Sequence, residues 1–373
     1  MSDFDKPYEP KTVEPEMYRK WEESGFFNPD KLPGKRIKTF TIAIPPPNIT
    51  GSLHMGHALN ATIQDILIRK KRMEGYKALW IPGTDHAGIA TQNVVEKELK
   101  KEGKTRHDLG REEFLKRVWQ WKEKYGNIIL DQLKKLGSSC DWSRVSFTMD
   151  PGYAKAVEAA FLHYQKKGWI YQGERVVNWC SRCQTSLSDL ELLYREEKGK
   201  LWYLKYPIKN SKEFITVATV RPETMLGDAA VAVNPKDRRY KKLVGQTVIL
   251  PIQNREIPIV ENRRIEMDFG TGAVKVTPAH DIADEAIALD HKLPFFQVID
   301  ENGRLTKLAG PGFEGLKAKE AREKIIERLE KENLVEKSED YVHNVAHCYR
   351  CDTVIEPLRS RQWFLKMDEL AKL

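Results

Sequence analysis

The sequence predicts an α/β fold on a parallel sheet, joined to a second domain that is rich in β-strands. The run 38–44 is rich in branched and aromatic residues, an apolar helical pattern fills 55–74, and 78–81 is again strand-like. A strand, a helix and a strand in this order form a βαβ unit, whose strands are parallel. After residue 200 the pattern changes to short strand-like runs separated by turns. A chain of 373 residues also exceeds one ordinary core, so two or three domains are expected.

Apolar residues at helical spacing predict the helices of the first domain. In the helix predicted over 55–74 these residues are Leu59, Ile63, Ile66 and Leu67. A long helix is predicted over 111–136, with an expected core of Phe114, Leu115, Val118, Trp119, Ile129 and Leu133. Another helix is predicted over 153–167, ending at Gly168. The first 37 residues predict a solvated helical extension, anchored by Trp21, Phe26 and Phe27.

Strands dominate the second domain, with two helices predicted among them over 282–290 and 317–331. The predicted strands are 201–206, 214–220, 229–233, 247–251, 257–260 and 273–276.

The composition is that of a globular protein, with 40% hydrophobic and 31% charged residues. No apolar stretch approaches the length of a membrane-spanning helix, and the first ten residues lack the features of a secretory signal. We therefore expect a cytoplasmic protein without a membrane partner. The net charge of +8 is compatible with an attraction to phosphate backbones, and equally with an ordinary solvated surface.

Two histidines stand three residues apart where the helix 55–74 is predicted to begin. His54 and His57 therefore share one face, and Gly51 and Gly56 permit close approach of a ligand. A helix N-terminus attracts phosphate, and imidazoles there could stabilise charge on a phosphoryl group. The spacing alone is a weak signal, since incidental pairs and partial metal sites share it. Its position after a strand favours a nucleotide site, although no P-loop or G-x-G-x-x-G run is present.

Four of the five cysteines form two C-x-x-C pairs, Cys180 with Cys183 and Cys348 with Cys351. Two such pairs predict a closed, structural zinc site with four thiolate ligands, and the arginines Arg182 and Arg350 would favour thiolates. The alternative is four reduced cysteines without a metal. The gap of 164 residues between the pairs indicates that the β-rich domain is inserted between them. Two histidines, His343 and His347, are alternative zinc ligands that the pattern favours less. Cys140 is interpreted as a small buried residue.

The densest polar stretches of the second domain run over 219–228 and 270–281. Taken by themselves they are typical of turns between strands, where Thr and Asp accept hydrogen bonds from the backbone.

Two further runs carry a resemblance to a known family. Residues 45–57, Pro-Pro-Pro-Asn-Ile-Thr-Gly-Ser-Leu-His-Met-Gly-His, closely resemble the first signature of class I aminoacyl-tRNA synthetases. Residues 80–92 are similar to the valyl branch of that family. The resemblance implies a Rossmann-like catalytic domain that binds ATP with Mg²⁺, valine and tRNA(Val), and a monomeric enzyme. It implies that ATP binding and stabilisation of the pentavalent α-phosphate fall to His54, Gly56 and His57.

The same resemblance implies that Asp85 holds the valine ammonium, and that Pro46 and Asn48 line the amino-acid pocket. From the residues alone, Asp85 could instead cap a helix. The region that contains the cysteine pairs matches the connective insertion of the valyl family, which agrees with a zinc site at the base of an inserted domain.

The two polar stretches resemble the editing site of the valyl, isoleucyl and leucyl insertions. A hydrophobic pocket cannot strongly reject an isostere that adds a hydroxyl, as is documented for the valine enzymes and threonine, so a second, hydrolytic site is needed. The resemblance implies that Asp281 binds the ammonium of the misplaced amino acid. Other residues would shape the pocket and hold the tRNA end, namely Arg221, Thr224, Lys275, Thr277 and Asp284. We expect a positioned water as the nucleophile. Val220 replaces a threonine usual in the family, and we expect the lost hydroxyl to weaken the positioning of the water.

The resemblance divides the chain into a helical extension (1–37), the first half of the catalytic domain (38–183), an inserted editing domain (195–343), and a second zinc knuckle with the return to the catalytic domain (344–373). The lysine-rich second signature of class I enzymes does not occur in the sequence. We therefore expect a shortened valine–tRNA ligase that does not aminoacylate by itself. Two alternatives are a free-standing editing deacylase and a non-enzymatic fragment that binds tRNA or zinc.

Overall fold

The computed structural model describes residues 7–372. Residues 1–6 and Leu373 lie outside the described residues. The expectation that the chain begins without a secretory signal concerns this first segment. The chain divides into two compact units after Lys167. Within residues 7–372, no helix is long and apolar enough to cross a membrane.

The first unit combines long helices with pairs of parallel strands, as the sequence predicts. Its elements are α1 (Pro10–Glu23), β1 (Thr39–Ala43), α2 (Met55–Met73), β2 (Lys77–Ile81), β3 (Gly83–Thr84), α3 (Ile89–Lys101), α4 (Arg106–Lys135), β4 (Ser146–Phe147) and α5 (Pro151–Lys166). Strands β1 and β2 pair in parallel along their whole length, and β3 pairs in parallel with β4. Both parallel pairs therefore direct the loops that follow them to one edge.

The core of the first unit lies between α2, α4 and the parallel strands. Ile68 of α2, Trp80 of β2 and Ile129 and Leu133 of α4 are buried together. Phe114 and Val118 pack instead against α3. The glycine at position 110 has φ 71° and interrupts the helical geometry of α4, so the regular part begins close to the predicted residue 111.

Some apolar residues of this unit are exposed. The expectation that Leu115 and Trp119 belong to the core is wrong, because they are 39% and 46% exposed. Each is one residue beyond a position that packs inward, about 100° around the helix. The predicted apolar stripe of α2 is exposed as well, and consists of Leu59, Ile63, Ile66 and Leu67.

The N-terminal segment is anchored by one predicted residue and one unpredicted residue. Phe27 is buried, whereas Trp21 and Phe26 are exposed. The hydroxyl of Tyr18 donates to the Ser138 carbonyl at 2.7 Å and accepts from the Trp142 indole at 2.7 Å. A hydroxyl that both donates and accepts fixes a helix more specifically than the apolar contacts expected there.

The second unit is rich in strands. Its elements are β5 (Ile170–Cys180), β6 (Thr185–Leu187), β7 (Leu192–Pro207), β8 (Phe214–Thr219), β9 (Ala230–Val233), β10 (Thr247–Leu250), β11 (Arg255–Glu261), β12 (Ala273–Val276), α6 (Ile282–His291), α7 (Ala318–Lys331), β13 (Val335–Cys348) and β14 (Glu356–Leu365). Their orders are β10-β11-β9-β12, β13-β7-β8 and β14-β5-β6. The largest core of the unit includes Leu204, Val217, Val231 and Ile325.

A long antiparallel ribbon of β7 and β13 connects the cysteine pairs to the remaining strands. Its register runs from Cys348 opposite Leu192 to Val335 opposite Leu204. The chain therefore leaves one cysteine pair and returns to the other along neighbouring strands. This geometry agrees with the expectation that the β-rich segment begins and ends at the same place.

Candidate functional sites

His54 and His57 form a reciprocal cap at the start of α2. Nδ1 of His54 accepts from the Gly56 amide at 3.1 Å, and Nδ1 of His57 accepts from the His54 amide at 3.2 Å. The ring centroids are 3.9 Å apart. A Cβ at position 56 would lie 3.0 Å from the His54 ring, so only glycine fits without displacement. Because Nδ1 accepts in both rings, the neutral tautomer carries its proton on Nε2, which leaves two donors beside a helix N-terminus.

Asp85 directly follows β3, and its backbone is hydrogen-bonded to the loop after β1. The Asp85 amide donates to the Pro47 carbonyl at 2.8 Å, and a backbone bridge joins Asp85 to Asn48. Pro46 and Asn48 are exposed in the same loop. The structure thus brings together the three residues expected to hold valine.

The carboxylate of Asp85 is held by local donors. Oδ1 accepts from the Ala87 amide at 3.1 Å and from the Thr148 hydroxyl at 3.0 Å, and His86 Nδ1 lies 2.5 Å from that hydroxyl. The alternative that Asp85 caps the next helix is wrong, because the N-cap of α3 is Gly88 and no side chain caps it. Asp85 also borders a groove of about 570 Å³ whose walls include Tyr153, Val157 and Phe161.

The four paired cysteines meet in one place. The sulfur atoms of Cys180, Cys183, Cys348 and Cys351 all lie within 4.8 Å of one another. Tetrahedral zinc with Zn–S bonds of about 2.3 Å needs sulfur separations of about 3.8 Å, so the cluster fits that ion. All five cysteines are free thiols. The hydrogen bond between Cys183 and Cys180 lowers the pKa of Cys180 and raises that of Cys183, so the two thiols of this pair differ in their readiness to ionise.

The other residues considered for the zinc site have different contacts. One ring nitrogen of His347 is hydrogen-bonded to the Asp352 carbonyl at 3.0 Å, and the other is hydrogen-bonded to Glu197 at 2.8 Å. Neither His343 nor His347 joins the metal-ligating cluster found among residues 7–372. Arg350 pairs with Glu191 at 3.2 Å. Cys140 is completely buried in the core of the first unit, as expected.

A buried polar cluster lies where β12 faces the loop after β8. The Lys275 ammonium donates to Thr224 Oγ1 at 2.8 Å and to Thr277 Oγ1 at 2.5 Å. The Thr277 hydroxyl donates to Asp228 Oδ1 at 2.5 Å, and the Tyr206 hydroxyl donates to Oδ2 at 2.7 Å. The structure therefore brings together three residues predicted from the polar stretches, around a carboxylate that was not predicted.

Asp281 and Asp284 have different surroundings although they are three residues apart. Asp281 is exposed and is the N-cap of α6, where Oδ1 accepts from the amides of Ala283 and Asp284 at 2.8 and 3.1 Å. Asp284 is buried and accepts from the Thr277 amide at 2.8 Å. Burial, together with the nearby Asp281 carboxylate, raises the pKa of Asp284 to about 7.

Arg221 is a half-buried member of a network of charges around the buried Glu223. Its guanidinium donates to Glu356 and, at 3.1 Å, to Glu223. Glu223 also accepts two hydrogen bonds from Arg322, at 2.8 and 2.9 Å. Burial opposes the ionisation of Glu223, but Arg221 and Arg322 together outweigh it and lower the pKa of that carboxyl. Thr224 donates to the Arg221 carbonyl at 3.0 Å, which connects this network to the Lys275 cluster.

His280 holds the second polar loop against its neighbours. Nε2 accepts from the Val298 and Ile299 amides at 2.9 and 3.2 Å, and Nδ1 lies 3.3 Å from the Pro357 carbonyl. Burial, followed by the charge of Arg221, lowers the pKa of His280 to about 3, so the ring is neutral near pH 7.

The residues that the sequence did not single out as site residues include Tyr206, Glu223, Asp228, His280 and Glu356. One signal was available for Asp228, since a charged residue follows Met-Leu-Gly and precedes an apolar run that forms a buried strand. Buried charges are rare unless paired.

The first unit has parallel strand pairs and a helix capped by two histidines, and the second unit has a cysteine cluster, as expected from the resemblance to class I aminoacyl-tRNA synthetases. The family described as "tRNA synthetases class I (I, L, M and V)" matches residues 16–373. The chain belongs to this family.

Curated relatives make the likeness more specific. Valine–tRNA ligase from Thermotoga maritima is 54% identical over 373 residues, which is 100% of this chain and 42% of the relative. Valine–tRNA ligases from Carboxydothermus hydrogenoformans and Aquifex aeolicus are 54% and 55% identical over 98% of this chain, and 41% and 32% of their own lengths. The chain therefore spans less than half of each of these relatives.

Among solved structures, a ternary complex of LeuRS, tRNA and LeuAMS from Agrobacterium radiobacter K84 aligns with a TM-score of 0.44 and 19% identity. It covers 93% of this chain and 49% of that one.

Proposed function

We propose that this chain contributes to a valine–tRNA ligase, with two sites of different chemistry. Residues 38–183 form the first half of the domain that binds ATP and valine, after a helical extension over 1–37. Residues 195–343 form an inserted domain that hydrolyses threonyl-tRNA(Val), and 344–373 return to the catalytic domain. The observation that carries the proposal is 54% identity to a valine–tRNA ligase along all 373 residues.

At the first site, His54 and His57 act as hydrogen-bond donors. Their Nε2–H groups stabilise the charge that grows on the α-phosphate of ATP while the valine carboxylate attacks. Gly56 keeps the helix N-terminus open to the phosphates, and Mg²⁺ supplies further neutralisation when it is bound. Burial and the neighbouring His54 lower the pKa of His57, which favours the neutral donor.

Valine binds next to this cap. The Asp85 carboxylate holds its ammonium, while Thr148 and the Ala87 amide fix the carboxylate. Pro46 and Asn48 border the side-chain pocket. Such fixed groups place the attacking oxygen near the phosphate and so reduce the entropy cost of reaction.

At the second site, water attacks the ester carbonyl of threonyl-tRNA. The bond between the acyl carbon and the tRNA oxygen breaks, that oxygen takes one proton of the water to become a hydroxyl, and threonine leaves as its carboxylate while the second proton passes to solvent. Asp281 binds the threonine ammonium, and Lys275, Thr277, Thr224, Arg221 and Asp284 shape the pocket. Four thiolates at Cys180, Cys183, Cys348 and Cys351 hold structural Zn²⁺.

The test is hydrolysis of threonyl-tRNA(Val) by this chain. Because Asp281 also caps α6, Asp281→Ala would confuse catalysis with stability, whereas Asn caps as well as Asp. We therefore expect Asp281→Asn to abolish most hydrolysis with an unchanged melting temperature. The control is Asp290→Asn on the same helix, where the carboxylate is exposed and pairs with Arg264. Hydrolysis that survives in Asp281→Asn, or is absent from the unchanged chain, would contradict the proposed hydrolytic site.

A further inference from the structure

Strand β14 contacts both polar loops of the candidate hydrolytic site. Glu356 pairs with Arg221 of the first loop. In the second loop, Nδ1 of His280 lies 3.3 Å from the Pro357 carbonyl, and the Arg359 amide donates to the Ala279 carbonyl at 3.2 Å. A strand that lies outside the ribbon of β7 and β13 therefore supports both loops.

Glu356 differs from the other carboxylate that contacts Arg221. Glu223 divides its oxygens between Arg221 and Arg322. The side chains of Glu356 and Arg221 are 14% and 26% exposed, so water competes weakly for their hydrogen bond. A charge-assisted hydrogen bond in such surroundings fixes a guanidinium in one orientation.

We propose that Glu356 is a positioning residue for the hydrolytic reaction: it orients Arg221 beside Thr224 and Lys275 so that the guanidinium can bind the phosphate backbone of the tRNA end. This inference rests on the proposed function and adds a residue to it. Glu356 itself touches no substrate and acts only through Arg221.

The position of Glu356 depends on the cysteine cluster. In the β5–β14 pair Glu356 lies opposite Trp179, the residue before Cys180. The second cysteine pair ends at Cys351, five residues before Glu356. Strand β5 ends at the cysteine cluster and β14 begins just after it. The cluster therefore fixes the position from which the Glu356 carboxylate reaches Arg221.

The test compares Glu356→Gln with Glu174→Gln in the full chain. Glu174 lies on β5, in the same sheet, and its exposed carboxylate pairs with Arg359 at 3.2 Å. We expect Glu356→Gln to raise the KM for threonyl-tRNA(Val) about tenfold, the size expected of one charge-assisted hydrogen bond. We expect kcat to stay within roughly twofold, because the contact with the tRNA end is made before and during the reaction alike. Glu356→Asp should recover part of the loss.

The split between KM and kcat separates positioning from stability. Partial unfolding would lower the active fraction and hence the apparent kcat while leaving KM unchanged. An active chain with unchanged KM in Glu356→Gln would overturn the inference, whereas an unchanged chain without activity would overturn the proposed function.

A second measurement needs no activity. In ¹⁵N spectra of the arginine side chains, the Arg221 Nη2–H groups, which donate to Glu356 and are assigned with Arg221→Lys, should exchange slowly with solvent. Glu356→Gln should accelerate this exchange and Glu174→Gln should not. An exchange rate that is unaffected by Glu356→Gln would overturn the inference whether or not the chain hydrolyses the ester.

Discussion

The Lys275 ammonium and the Asp228 carboxylate form a buried ion pair, in which Nζ and Oδ1 are 3.6 Å apart and the side chains are 9% and 0% exposed. Thr277 and Tyr206 satisfy the carboxylate further. Two charges removed from water in this way stabilise a fold only while both are present, because either one alone remains buried without compensation.

Asp228→Asn should therefore destabilise the second unit strongly. We expect the free energy of unfolding to fall by about 3–5 kcal/mol, the cost of breaking a buried pair. Urea denaturation followed by tryptophan fluorescence measures this change. The control is Asp290→Asn, which removes an exposed partner of Arg264 and should cost less than about 1 kcal/mol. Equal effects of the two substitutions would show that the Lys275 pair contributes no more than a surface pair.

Two buried groups should oppose each other in the dependence of stability on pH. The pKa of His280 is lowered from 6.5 to about 3, so the unfolded state binds more protons between these values and stability falls as the pH falls. The pKa of Asp284 is raised from 3.8 to about 7, so the folded state binds more protons there and stability rises as the pH falls.

Single variants should reveal each contribution. His280→Gln removes the loss on acidification, so this variant should gain stability relative to the unchanged chain between pH 6.5 and 4. Asp284→Asn removes the gain and should lose relative stability over the same range, with a slope of up to about 1.4 kcal/mol per pH unit. Urea unfolding at several pH values tests both. Parallel pH profiles for the two variants would contradict these pKa shifts.

The cysteine cluster should bind about one zinc ion per chain, because its four thiolates are close enough together to coordinate one tetrahedral ion. Mass spectrometry under native conditions should detect this stoichiometry, and Cys348→Ser should lose most of the metal. Cys140→Ser is the control, since Cys140 lies in the core of the first unit. Retention of zinc in Cys348→Ser, or its loss in Cys140→Ser, would exclude the four paired cysteines as the site.

Asp85→Asn should weaken the binding of a non-hydrolysable valyl-adenylate analogue to this chain. Loss of the charge that faces the ammonium should reduce affinity at least about tenfold, as for other charge-assisted contacts. Calorimetric titration measures the affinity, and Asp131→Asn, an exposed residue of α4, is the matched control. Equal affinities would show that Asp85 does not bind the ammonium.

Local patterns predicted most of the elements. The first βαβ unit follows from runs of apolar residues whose period changes from two to 3.6 and back. The cysteine pairs were predicted to meet, because two C-x-x-C pairs together supply the four thiolates of a structural zinc site. Thr224, Lys275 and Thr277 were singled out by the resemblance of two polar stretches, and they come together because these stretches adjoin the paired strands β9 and β12.

Long-range contacts could not be predicted in the same way. Strand β13 and the first half of β7 are highly charged and do not show the apolar alternation that marks a half-buried strand, so only 201–206 of this ribbon was predicted. Glu356 and Arg221 are 135 residues apart, and no local pattern connects them. Leu115 and Trp119 had helical spacing, but that spacing does not tell which side of a helix meets a neighbour.

The length of the ribbon of β7 and β13 sets the distance between the cysteine cluster and the polar loops. Each residue added to an antiparallel strand lengthens it by about 3.4 Å, so two extra residues in both strands would move the polar loops about 7 Å away from the cysteines. One extra residue would instead turn every following side chain to the opposite face. Changes in ribbon length are therefore limited to even steps, and each step would carry Arg221 out of the reach of Glu356.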